Sequence, residues 1–261
     1  MKRELIWAEE LNYRSGGRPD PAMWNFDLGD GTAHGIPGWG NNEREFYTET
    51  STHIDGGLTI HALKEPSDTP LTTYYGKAEW TSGKIHTAKK VTFKYGYFEF
   101  VAKAPAGGGT WPAIWMLGAS IAHTPWPSCG EIDIFEGTGN EPHTIRGTLH
   151  GPGYCGEEGL TEAITHPLPL SEEFNTYGLL WLPNRIEWFV NGVSYSIIER
   201  SDTRLEGKEW PFNDEYYLII NLAMGGWFAG DIDPDLAQAH FEVQSIKVYS
   251  IDGVGQVNLQ N

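Results

Sequence analysis

Three acidic residues are interleaved with apolar ones in the segment Gly130-Glu131-Ile132-Asp133-Ile134-Phe135-Glu136-Gly137. Acidic side chains are poor strand formers, so their presence in an otherwise strand-like run asks for a reason. In a regular strand Glu131 and Asp133 share one face, while Ile132 and Ile134 point to the other. Glu136 lies at an odd offset from Glu131, which aims it at the core. One extra residue, a β-bulge near Ile134-Phe135, returns it to the face of the other two. Three carboxyls on one face cannot all ionise at ordinary pH, because repulsion and partial burial raise the proton affinity of at least one. An ionised carboxylate beside a protonated one is the equipment of glycoside cleavage, in which the first attacks the anomeric carbon and the second protonates the leaving oxygen. Four strand steps at roughly 3.3 Å separate the two glutamate backbones by ~13 Å. Leaning together over the shorter Asp133, their carboxyls approach the ~5–5.5 Å of a retaining mechanism, a spacing that leaves inversion open. A solvated strand face, or a calcium site built from three acids, is the alternative.

The aromatic residues around this segment suit the same chemistry. Of eleven tryptophans, Trp111, Trp115 and Trp126 fall shortly before Glu131. An indole offers a flat apolar surface for the C–H face of a sugar and an N–H for a hydroxyl, although any single Trp can equally fill a core. His150, in Thr148-Leu149-His150-Gly151, belongs to a strand expected beside the carboxylates. It reads either as a donor to substrate or to Asp133, or as a satisfied structural histidine. Asn41 and Glu43, in the loop Gly38-Trp39-Gly40-Asn41-Asn42-Glu43, are candidate hydroxyl contacts or the caps of a turn. Met224 and Trp227 are candidates for one wall of a groove.

The elements that must hold these residues are strands. Segments 58–63, 91–104, 144–150, 177–182, 185–190, 216–222 and 241–249 are rich in β-branched and aromatic residues, and many alternate apolar with polar positions. Turn chemistry separates them, and Val190-Asn191-Gly192-Val193 has the signature of a tight hairpin. No stretch longer than about ten residues keeps a clean helical period. Short strands with almost no helix predict an all-β jelly-roll sandwich of two curved antiparallel sheets, with a concave groove on one face. No linker, repeat or low-complexity tract divides the 261 residues, so residues 1–261 are expected to form one catalytic domain.

Charge narrows the partners. Eighteen Lys and Arg against 35 Asp and Glu give a formal charge of −17, which repels nucleic acid and anionic membrane surfaces. A neutral glycan pays no such penalty, and no basic patch is visible for a sulfated one. No apolar run reaches signal-peptide or membrane-span length. An extracellular, monomeric protein is the expectation, with the cytoplasm left open. Cys129 and Cys155 form no disulfide framework and are expected to be free thiols.

The run Glu131-Ile132-Asp133-Ile134-Phe135-Glu136 resembles the bulged E-x-D-x-x-E signature of family 16 glycoside hydrolases. The resemblance extends along nearly the whole chain: the Gly38–Glu43 loop with Phe46-Tyr47-Thr48, then Trp111-Pro112-Ala113-Ile114-Trp115-Met116-Leu117, Trp126-Pro127, Gly147 to Gly151, and Asn221-Leu222-Ala223-Met224-Gly225-Gly226. It is strongest with the laminarinases, the endo-β-1,3-glucanases of that family. It implies a retaining enzyme of jelly-roll fold in which Glu131 is the nucleophile, Asp133 orients it and tunes its charge, and Glu136 is general acid then base. Trp111, Trp115, Trp126 and His150 match positions near the substrate. The implied substrate is a neutral β-glucan of laminarin type, with mixed β-1,3/1,4-glucan a further candidate, and the chemistry needs no cofactor. An agarase, carrageenase or transglycosylase of the same family, or a non-catalytic glucan-binding lectin, is the alternative.

Two departures from the family pattern stand out. Where many relatives have Ser-Ala-Arg, this chain has Ser82-Gly83-Lys84, a point charge in place of a planar bidentate donor. Many relatives also hold a structural calcium through a Glu near the first strand and an Asp near the last. Glu10 fits the first position, but Ser245 stands at the second, so a charged ligand is lost and calcium is not expected.

Overall fold

The computed structural model describes residues 2–9, 11 and 17–260. Among these, ten strands form one sheet, nine form a second, and the remaining two pair with each other. In both large sheets the pairing is antiparallel, except where the short strand Glu45–Tyr47 runs parallel to Trp80–Ser82. The two sheets pack as a jelly-roll sandwich. The only α-helix among the described residues is the four-residue turn Gly226–Ala229.

Alternation explains the packing. In Thr110–Gly118 the residues Ile114 and Met116 face inward, while Trp111, Trp115 and Leu117 face outward. Tyr216–Met224 sends Leu218, Ile220, Leu222 and Met224 into the core and Tyr217, Ile219 and Asn221 to the opposite side. Large aromatics bridge the layers: Phe135 of the carboxylate strand stacks at 4.1 Å on Tyr177 of the facing sheet. Such interdigitation fills the ~10 Å between packed sheets.

The expected strand over residues 91–104 is two strands in different sheets. Val91–Lys94 pairs with Tyr216–Met224 and Gln256–Leu259, whereas Gly96–Lys103 pairs with Asn175–Leu182 and Gln238–Ile251. The chain crosses between layers at Tyr95, φ 61°, and Gly96, φ 120°. A Cβ on Gly96 would lie 2.7 Å from the Tyr249 carbonyl oxygen, so glycine is required where the chain switches sheets. Unbroken β-propensity on both sides conceals this corner in the sequence. The hairpin is as expected: Val190 pairs with Val193, with Asn191 and Gly192 both at positive φ. Cys129 and Cys155 are free, and burial pushes the Cys129 thiol up to about 11.

Candidate active site

The carboxylate strand, Glu131–Thr138, carries the bulge. On the strand Thr110–Gly118, Trp115 pairs with Asp133 while its neighbour Ile114 pairs with Phe135, so Ile134 is the extra residue. On the other side Asp133 pairs with Thr148 and Glu136 with Arg146, three residues against two. Ile134 and Phe135, consecutive in sequence, both enter the core. Glu136 therefore rejoins Glu131 and Asp133 on the floor of a cleft of about 590 Å³. From the facing sheet Trp188 donates its indole N–H to the Asp133 carbonyl oxygen, 2.8 Å, fixing the backbone beside the bulge. Gly147 leaves room for that indole, since a Cβ there would sit 2.4 Å from the Trp188 ring.

Each carboxyl has its own surroundings. Trp111 donates Nε1–H to Glu136 Oε1 at 3.1 Å, and Thr148 Oγ1 approaches Glu136 Oε2 at 3.4 Å. His150, paired across the strands with Glu131, brings Nε2 to 3.2 Å from Asp133 Oδ2 and 3.6 Å from Glu131 Oε1. One atom from each of these three residues lies within 4.8 Å of the others. Two carboxyls and an imidazole are not the six to eight oxygens that calcium takes. Asp133 is the most enclosed of the acids, 3% exposed.

Burial pushes all three carboxyls up to about 8. For Asp133 burial is the sole cause. For Glu131 and Glu136 burial comes first and the neighbouring Asp133 charge adds to it. His150 pulls both down, as do the Trp126 indole near Glu131 and the Trp111 hydrogen bond to Glu136. The three titrate as one coupled set that retains protons at neutral pH. The deepest burial favours the proton on Asp133, which relieves the repulsion on Glu131.

The family model described as glycosyl hydrolases family 16 matches residues 41–245. The chain belongs to that family. It is 36% identical to the "Beta-glucanase" of Rhodothermus marinus, over 94% of this chain and 85% of that protein. Among solved structures, the laminarinase catalytic domain from Thermotoga maritima superposes with a TM-score of 0.90 at 38% identity, covering 96% of this chain and 99% of that one. The endo-β-1,3-glucanase from Pyrococcus furiosus gives 0.88 at 42% identity, covering 95% and 94%.

In this family 16 fold the predicted residues gather unevenly. Trp111, Trp115, Trp126, Asn41, Glu43 and Lys84 line the cleft with the three acids, and His150 contacts Asp133 from the adjacent strand. Trp126 is 43% exposed with its ring 6.2 Å from His150. Met224 is a correction: it has no exposed surface and packs in the core, because it is in phase with Leu222 and Ile220. Trp227 does not line the cleft. It stands at the rim, 76% exposed, its backbone N–H bonded to the Asn41 carbonyl, while its neighbour Phe228 packs 4.9 Å from Trp111. Glu10 lies outside the described residues, and Ser245 supplies no charge to the expected calcium position.

Four contributors were not legible in the sequence: Trp39, Asp27, His86 and Asn221. Trp39 lines the cleft with its backbone at φ 51°, a left-handed conformation unusual for a bulky residue, and its flanking glycines were the available signal. Asp27 meets Lys84 Nζ at 3.3 Å and His86 Nε2 at 3.6 Å. Lys84 lies 4.1 Å over the Trp39 ring. The fourth, Asn221, takes the Trp115 indole N–H at 2.8 Å. The departure at Gly83 also has a physical reason, since a Cβ there would come within 2.7 Å of Thr52 Cγ2 and 3.0 Å of Ile60 Cγ2.

Proposed function

We propose that this family 16 enzyme is a retaining endo-β-1,3-glucanase that cuts laminarin-type glucan and accepts mixed β-1,3/1,4-glucan. The observation that carries the reading is the bulge at Ile134, which puts Glu131, Asp133 and Glu136 on one indole-lined floor. A Glu131 oxygen attacks the anomeric carbon as the bond to the leaving oxygen breaks, and Glu136 gives that oxygen its proton. Water then attacks the glycosyl ester, releases its proton to Glu136 and frees Glu131. Asp133, holding a proton between the two and contacted by His150, keeps the Glu131 charge tolerable before attack. All of these groups belong to this chain, so the chemistry requires no cofactor.

Trp39, Trp111, Trp115 and Trp126 supply flat surfaces for successive sugar rings, with Asn41, Glu43 and Lys84 as hydroxyl partners. A cleft with one lysine among several acids suits an uncharged polymer, which an acidic surface neither steers nor repels. We assign the enzyme to the extracellular space, where such polymers occur, and to a monomeric state. A digest of laminarin, lichenan, barley glucan and agarose, with product anomers followed by NMR, tests the reading. Laminarin should be cut fastest and release the β-anomer first. Binding without new reducing ends would make the protein a lectin, and preferential cleavage of agarose would move it to another specificity.

A further inference from the structure

A second pair of carboxyls lies behind one wall of the cleft. Glu43, Glu45 and Tyr47 alternate along one extended segment and so share a face. Glu43 lines the cleft, whereas Glu45 has no exposed surface. Glu45 Oε2 accepts the Met224 backbone N–H at 2.7 Å, and Oε1 is buried without a hydrogen-bond partner among the described residues. Neighbouring cations are turned elsewhere. Arg44 pairs with Glu79 at 2.6 Å and covers the Tyr75 ring, and Lys84 pairs with Asp27. The titratable groups facing Glu45 are Glu43, Tyr47 and Tyr74, none of which brings a positive charge.

Glu43 terminates a one-way chain of donors. Trp115 Nε1 donates to Asn221 Oδ1, Asn221 Nδ2 donates to the Tyr47 hydroxyl, and that hydroxyl donates to Glu43 Oε2. Asn41 Nδ2 donates to Glu43 Oε1 at 3.0 Å. A carboxylate has lone pairs for a further donor, and a bare Glu45 oxygen beside it needs a proton to be satisfied. We infer that Glu45 is a positioning residue for glucan binding: it carries a proton, gives the hydrogen bond to Glu43, and so holds the chain that presents Trp115 and Asn41 to the sugar. Burial first, then the charge and contact of Glu43, raise the Glu45 carboxyl well above its ordinary range. Ionising it would set two unscreened charges side by side and loosen the chain from its terminus.

The consequence for binding rests on the glucan reading of the cleft, and the proton on Glu45 does not. The test compares Glu45→Gln, which keeps a donor, with Glu45→Leu, which keeps only bulk, by KM for laminarin at pH 6 and by thermal midpoint from pH 5 to 9. Glu45→Leu should raise KM at least about five-fold with kcat changed less than about two-fold, and Glu45→Gln should restore KM to within about two-fold of wild type. A raised native pKa means that the native state keeps a proton the unfolded chain releases, so wild-type stability falls as pH rises above the ordinary carboxyl value. Gln cannot titrate, so the midpoint of Glu45→Gln should gain on wild type steadily toward pH 9. Equal KM defects in the two variants at pH 6, or a Gln-minus-wild-type midpoint difference that is flat with pH, would overturn the assignment. If wild type fails to cut laminarin, the glucan reading falls while the midpoint series still decides the proton. If Glu45→Leu does not fold, the Gln series decides alone.

Discussion

Three acids on one strand and a single aspartate line the same cleft and behave in opposite ways. Glu131, Asp133 and Glu136 are enclosed with indoles, a histidine and one another, and their carboxyls are pushed up to about 8. Asp27 is partly buried, and burial alone would raise it. The His86 hydrogen bond and the Lys84 charge win, lowering it to about 2. Within one cleft, the presence of a close cation therefore separates an acid that can pass a proton near neutral pH from one that serves as a fixed anchor. The Asp27–Lys84–His86 group braces Trp39, and the carboxylate strand keeps its acids free of such a brace.

The largest test of this contrast removes the chemistry. Glu131→Ala and Glu136→Ala should each lower kcat on laminarin by at least about 10³-fold with the fold intact by circular dichroism, whereas Asp27→Asn should keep most of it. Activity should also fall as pH rises through about 8, where the Glu136 proton is lost.

Stability should record the strain that the acids carry. Their native pKa values are raised, so between about 4.5 and 8 the native state binds more protons than the unfolded chain, and stability declines across that window. Glu131→Gln should gain at least about 1 kcal/mol at pH 8, roughly 2–4 °C in midpoint for a chain of this size, with the gain shrinking toward pH 4.5. Asp27 works in the other sense: its contribution is present above its unfolded value near 3.8 and is lost as pH falls toward 2. A gain for Glu131→Gln that did not vary with pH would contradict the opposite pH dependences of Glu131 and Asp27.

Smaller effects are expected at Trp111 and Lys84. Trp111→Phe deletes the hydrogen bond that lowers Glu136, so its proton should be held more tightly. The alkaline limb of kcat/KM should move upward, with a loss of roughly ten-fold or less at the optimum. Lys84→Met removes a cation from Asp27 and the partner of the Trp39 ring. It should raise KM about three- to ten-fold and leave kcat nearly unchanged, as read by steady-state kinetics on laminarin.

How much of this was legible before the structure follows from the range of each interaction. Alternation is local, so the strands, the Asn191-Gly192 hairpin and the need for a bulge near Ile134 could be read from neighbouring residues. Met224 belongs to a glycine-rich motif beside the cleft, yet strand phase decides its place: counting by twos from Leu218 puts it in the core. Trp188 and Asp27 were invisible, since each acts on a residue 55 or more positions away through a fold that no local pattern specifies. The sheet switch at Tyr95–Gly96 was hidden for the opposite reason, because strand-forming residues continue on both sides of one glycine.

If the bulge places Glu131 to attack while Glu136 handles the proton, the glycosyl-enzyme can be trapped on Glu131. A 2-fluoro laminaribioside with a good leaving group, incubated with the enzyme and followed by peptide mass spectrometry, should leave one glycosyl group on Glu131. A label on Asp133 or Glu136, or turnover of β-glucan with the α-anomer released first and no adduct formed, would contradict it.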